Sequence, residues 1–154
     1  MLDTETGELI LSGSLRLGPS LRQRRLPSLP ISKPATSLIK NGAWHSYHIE
    51  ADSINGEKLF ISLQFFNSSL KMIDFVVDEL KRGSDPPPDW RDETEQKRFH
   101  DKWLETCLGS PPPYDYGWGS VISSYDPRSD CSSIIVTYEK KGKGLMSLLF
   151  GCRV

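Results

Sequence analysis

Positions 59–66 read Leu-Phe-Ile-Ser-Leu-Gln-Phe-Phe, and no other stretch of the chain limits the fold as tightly. The run is too short for a helix that has to bury a stripe over several turns. It is rich in aromatic side chains, and turn signals bound it, Asn55-Gly56 before and Asn67-Ser68-Ser69 after. Such a segment predicts a strand. Because it is apolar at most positions of both faces, it is expected to be an inner strand, covered on two sides, at the centre of a sheet.

The neighbouring segments extend that sheet. The next run, 70–77, carries Met72, Ile73, Phe75, Val76 and Val77 and fits either a strand or a helix. The three-residue link at 67–69 favours a hairpin and hence a strand. Upstream, the tight-turn pair Asn41-Gly42 leads into a strand over 44–50. Its alternation puts His45, Tyr47 and Ile49 on one face and Trp44, Ser46 and His48 on the other. The first residues read as a hairpin, with turn chemistry at 3–7 and Leu9, Leu11, Leu15 and Leu17 on alternate positions around an irregularity at Gly13. Gly18-Pro19 ends it. Between 20 and 36, Pro27, Pro30 and Pro34 leave room for one short helical turn near 21–26 and otherwise an irregular loop.

Asp92-Glu93-Thr94-Glu95 matches a capping box, and Gly109 followed by prolines 111–113 is a stop signal. Between them a helix is predicted. At about 100° per residue, Phe99, His100, Trp103, Leu104, Cys107 and Leu108 share one half of the wheel, and Arg98, Asp101, Lys102 and Glu105 share the other. After the helix, 116–124 and 131–139 are two β-rich runs joined by a polar link containing Asp126-Pro127, which reads as a longer hairpin. The sum is an α+β protein: a mainly antiparallel sheet of six or seven strands with one long amphipathic helix, 92–108, packed on it. Residues 1–139 are expected to form a single domain. Residues 140–154 read as a flexible basic linker, Lys140-Lys141-Gly142-Lys143-Gly144, and a short apolar tail.

A length of 154 residues allows one core of ordinary size without a metal or a disulfide. The net charge of −1 argues against a surface devoted to phosphates. The charge is unevenly spread, however. From 9 to 49 the only charges are basic, whereas 74–105 has an acidic excess, which points to two oppositely charged faces. Cys107, Cys131 and Cys152 are odd in number and far apart in sequence, which fits reduced thiols in the cytoplasm. The acidic opening Met1-Leu2-Asp3-Thr4-Glu5 lacks the apolar region of a secretory signal, and the tail is too short to span a bilayer.

Catalytic patterns are missing from the sequence. His45 and His48 fall on opposite faces of one predicted strand, and His100 lies about 10 Å along the helix axis from Cys107. A core histidine and a structural thiol are the simpler readings. The glycines of 117–119 and 142–144 match no phosphate-binding loop, and no serine sits in a nucleophile elbow. No cofactor and no metal are expected. What stands out is a pair of loops bracketing the helix that combine prolines, acids and aromatics: Asp85, Asp89, Trp90, Asp92 and Glu93 on one side, Tyr114, Tyr116 and Trp118 on the other. Such aromatics either staple the ends of the helix or carry a protein interface.

The chain also resembles a group of small bacterial proteins. The likeness rests on Thr6-Gly7-Glu8-Leu9, Leu17-Gly18-Pro19, Lys40-Asn41-Gly42 with Trp44, Tyr116-Gly117-Trp118-Gly119, and Ser124-Tyr125-Asp126-Pro127-Arg128 followed by Ser132-Ser133-Ile134-Ile135-Val136. It covers the chain up to about Tyr138 and departs from it in the 140–154 extension. These proteins resemble the immunity proteins of polymorphic toxin systems, such as contact-dependent inhibition or type VI secretion. The resemblance implies a cytoplasmic protein without an active site that binds a toxin domain. An acidic surface would suit a basic nuclease toxin. The other readings are a ligand-binding or hydrolytic domain using a histidine with a carboxylate, and a structural homo-oligomer.

Overall fold

The computed structural model describes residues 1–78, 93–128 and 131–139. Nine strands and one α-helix are described: β1 (Leu9–Ile10), β2 (Arg16–Leu17), β3 (Thr36–Asn41), β4 (Trp44–Asp52), β5 (Lys58–Phe66), β6 (Ser69–Asp78), α1 (Glu93–Leu108), β7 (Tyr114–Tyr116), β8 (Gly119–Asp126) and β9 (Cys131–Thr137). β1 and β2 make a small hairpin. The other seven form one sheet in the order β3-β4-β5-β6-β9-β8-β7, antiparallel throughout. The expected α+β fold, an antiparallel sheet with one main helix, is the fold observed.

Register explains the two faces of this sheet. Tyr47, Leu63, Ile73, Val136, Val121 and Tyr114 are directly opposite one another across six successive strands. Since side chains alternate along a strand, this row and its neighbours two residues away share one face. That face is the core, joined by Leu9, Leu15 and Leu17 of the first hairpin and by Trp103 and Leu104 of α1. One residue over, Ser46, Gln64, Met72, Thr137, Ser120 and Asp115 line up on the opposite face. That second row holds one apolar side chain.

β5 therefore differs from its sequence reading in two ways. It is third of seven, and β6 is the middle strand. Leu59, Ile61, Leu63 and Phe65 are fully buried, but Phe60 and Phe66 on the other face are half-buried. The apolar character of that face is met by ring contacts with the neighbouring strand, Phe66 on Trp44 at 4.9 Å and Phe60 on His48 at 6.4 Å, so no second covering layer is needed.

Local chemistry sets the connections. The β5–β6 hairpin turns on Asn67 and Ser68, both with positive φ (46° and 63°), as a two-residue turn matching strand twist requires. The irregular segment before the sheet holds that turn: Arg22 donates to the Ser69 hydroxyl, and the Gln23 amide donates to the Ser68 carbonyl at 3.0 Å. α1 stops where Gly109 takes φ +71° and its amide returns to the Glu105 carbonyl at 2.8 Å. The single run read over 116–124 contains a turn at Gly117 and Trp118, after which β8 starts at Gly119. A Cβ at Gly119 would lie 1.8 Å from the Thr137 carbonyl oxygen, so only glycine lets β8 approach β9 this closely.

β3 has no counterpart in the sequence reading, because all six of its residues are exposed and leave no alternating pattern. Cys107 is a free thiol, but Cys131 is disulfide-bonded, so the reduced state expected of every cysteine does not hold there. Among the described residues no helix is long and apolar enough to cross a membrane. The 140–154 extension lies outside the described residues.

Candidate protein-binding surface

Tyr116 and Trp118 flank the β7–β8 turn and stack, with centroids 5.0 Å apart and planes 13° from parallel. The indole Nε1 of Trp118 donates to the Thr4 carbonyl at 2.9 Å, and its ring lies where a Cβ on Gly7 would be, 2.6 Å from that position. Tyr138, whose ring is 5.8 Å from the indole, donates its hydroxyl to the Gly7 carbonyl at 2.8 Å. Burial raises the pKa of that hydroxyl. The pair thus fastens the turn at 3–7 to the sheet, and the aromatic staple serves the N-terminal turn. Both rings remain half-buried, leaving part of each at the surface. Tyr114 is only 5% exposed and donates to the Ser110 carbonyl at 3.0 Å, supporting the loop from below. Asp85, Asp89, Trp90 and Asp92, with the side chain of Glu93, lie outside the described residues.

The histidines are dispersed. His100, fully buried, faces the sheet from α1: its Nε2 accepts the Val77 amide at 3.3 Å and lies 3.0 Å from Gln96 Nε2. Gln96 also donates to the Val77 carbonyl at 2.8 Å. The network assigns the ring proton to Nδ1, which donates to Ser132 Oγ at 3.0 Å. Burial lowers the His100 pKa to about 4, so the ring is neutral at pH 7. It is a clamp between α1, β6 and β9. His48 stacks on Phe60 on the opposite face, and His45 Nδ1 lies 2.8 Å from Gln23 Nε2. None of these partners is a carboxylate. The Cys107 thiol, half-buried, has its pKa raised by burial, which opposes the thiolate.

A groove of about 810 Å³ lies between the 3-10 segment Gln23–Ser28, the loop that follows it and β4. Leu26, Pro27, Leu29, Ile31, Pro34 and Ala35 supply its apolar walls. Gln23 donates to the Tyr47 hydroxyl at 2.7 Å and, with His45, makes a polar floor. Arg24 stands on the rim, and among the described residues no Asp or Glu lines the groove. The sequence reading treated this stretch as a solvated loop. Two signals could have marked it: the spacing of Pro27, Pro30 and Pro34, which holds a chain extended, and the absence of any acid from 9 to 49.

No protein-family model and no curated protein matches this chain. Among solved structures, the fold matches a chain from the structure of Rhs1-CT in complex with the cognate immunity protein RhsI1. The likeness spans 89% of this chain and 85% of that one, with a TM-score of 0.59 at 19% sequence identity. At that identity it is a likeness of fold, and the resemblance to immunity proteins read from the sequence has its counterpart there.

Proposed function

We propose that this chain is an immunity protein, a non-enzymatic protein that neutralises a cognate bacterial toxin by binding it directly in the cytoplasm. The observation that carries the reading is the match over nearly the whole fold to a chain of the Rhs1-CT and RhsI1 complex, in which an immunity protein meets its cognate partner. It is supported by a sequence likeness to immunity proteins reached from separate motifs, and by the one buried histidine, His100, whose partners clamp α1 to the sheet. The contact surface we assign is the rim around α1: Tyr114, Tyr116 and Trp118, together with Asp85, Asp89, Trp90, Asp92 and Glu93. Aromatics and acids in one contact surface would combine anchoring area with steering of a basic partner.

Co-expression with the toxin domain encoded beside it tests the proposal. The expected result is rescue of growth and a 1:1 complex that copurifies. Charge reversal at Asp89, Asp92 and Glu93, combined with Trp118→Ala, should weaken that complex at least tenfold, on the order of 1.4 kcal/mol. Failure to form any complex overturns the function, and a complex indifferent to those changes overturns the surface.

A further inference from the structure

We infer that the groove between Gln23–Ser28 and β4 is a second recognition site, which binds an acidic, apolar-anchored, extended segment of a partner protein. Its shape and charge identify the occupant. The walls formed by Leu26, Leu29 and Ile31 accept apolar side chains, and the floor offers the Tyr47 hydroxyl and His45, which can hydrogen-bond a backbone lying across them. Arg22, Arg24 and Arg25 are exposed in the 22–25 stretch. Arg22 is bonded to the neutral Ser69, and among the described residues none of these three cations is in an ion pair. Arg16, Lys33, Lys58, Lys71 and Lys97 each pair with a carboxylate, so the three arginines are set apart by lying together in one short stretch next to an apolar groove. Unpaired positive charge beside an acid-free apolar groove is complementary to a segment in which acids alternate with apolar residues.

β3 begins directly after Ala35 of the groove wall and lies at the end of the sheet, with β4 as its one neighbour among the described residues. An occupant in extended conformation can therefore leave the groove along a strand edge that pairs with no further strand among the described residues, with Leu38 and Ile39 about half exposed there. A nucleic acid fits less well, because a phosphodiester chain makes no use of aliphatic walls, and the two rings that line the groove, His45 and Tyr47, are bonded to Gln23.

The inference rests on the protein-binding reading but is tested separately. A labelled ten-residue peptide alternating Glu or Asp with Leu or Phe is titrated with the full chain by fluorescence anisotropy, beside the same peptide with lysine in place of each acid and a single-stranded oligonucleotide. The acidic peptide should bind, the lysine peptide should not, and the double variant Arg24→Glu with Arg25→Glu should weaken binding at least tenfold. Leu29→Asp should abolish it. Binding of the oligonucleotide as tight as that of the acidic peptide, no binding of the acidic peptide, or indifference to charge reversal each overturns the site. The same Arg24 and Arg25 variant is then mixed with the neighbouring toxin domain. If wild-type chain forms that complex and the variant forms it equally well, the groove inference falls and the proposed function stands.

Discussion

The two ends of the sheet handle polar and charged groups in opposite ways. Under α1, His100, Gln96 and Ser132 are buried and bonded to one another or to the Val77 backbone, in a region closed by Trp103, Phe75 and Ile134. Beside the open groove next to β4, Arg22, Arg24 and Arg25 stand exposed and, among the described residues, in no ion pair, although Lys33 and Lys58 pair with Glu50 of β4, and β3 keeps every residue in solvent. A buried network whose members bond one another and the backbone fixes one arrangement of helix on sheet. An exposed cation costs little to leave unpaired, because water solvates it, and it is then available to a partner. One end holds the fold together, and the other is free to recognise.

Substitutions should separate the two ends, beginning with the largest effect. Gly119→Ala places a methyl group on the Thr137 carbonyl, so β8 has to move off β9, at a loss of roughly 3 kcal/mol or more. Urea unfolding gives the number, and an unchanged midpoint would show that the close approach of these strands is dispensable.

Acid should also act on the helix end. The His100 pKa lies at about 4 in the folded state, below its ordinary value of 6.5, so the fold holds the neutral ring. Its contribution is complete above about pH 6.5 and is lost as pH falls towards 4, by roughly 3 kcal/mol in all. A His100→Gln variant, less stable at pH 7, should lose stability less steeply across that window. Equal slopes for the two proteins would remove His100 from the account.

Smaller effects follow at the aromatic staple and the groove. Trp118→Phe keeps a ring on Gly7 but deletes the bond to Thr4, which should cost about 1 kcal/mol and speed amide exchange at Gly7, whose N–H donates to the Asp3 carbonyl. Arg24→Glu with Arg25→Glu should change stability by less than about 0.5 kcal/mol. A large thermal shift in that variant would mean that the groove end supports the fold after all, and the contrast between the ends would collapse.

What could be read from sequence follows the same division. Elements that bury a face write it into their spacing. Alternation placed Trp44 in a strand, an apolar run between two turn signals placed Leu59 in the next, the three-residue link placed Leu70 in a third, and the arc of Phe99, Trp103 and Leu104 placed α1 with His100 turned inward. Elements that bury nothing leave no such record, which is why β3 was missed. Nor could alternation reveal that Gly117 and Trp118 divide one run into two strands, since the demand comes from Thr137 on a third. Of the expected contact residues, Trp118 was recognisable as an aromatic on a loop. Its grip on Gly7 and Thr4 depends on contacts more than a hundred positions apart in sequence. The groove is similar: prolines and arginines were visible, but walls made by Leu26 and Ile31 against β4 exist only in three dimensions.

Strand order has a kinetic consequence. β3, β4, β5 and β6 follow one another in the sheet as they do in the chain, joined by short turns. β9 reaches its place beside β6 only after the helix and two further strands, so that Phe75 meets Ile134 across a long closed loop. Loop closure is cheap for the first four strands and expensive for the last pairing. The meander is therefore the natural nucleus, and α1 with β7, β8 and β9 is the part that condenses onto it. Folding rate should respond to changes in the β5–β6 turn at Asn67 and Ser68, whereas changes at the β6–β9 seam should be felt mainly as faster unfolding.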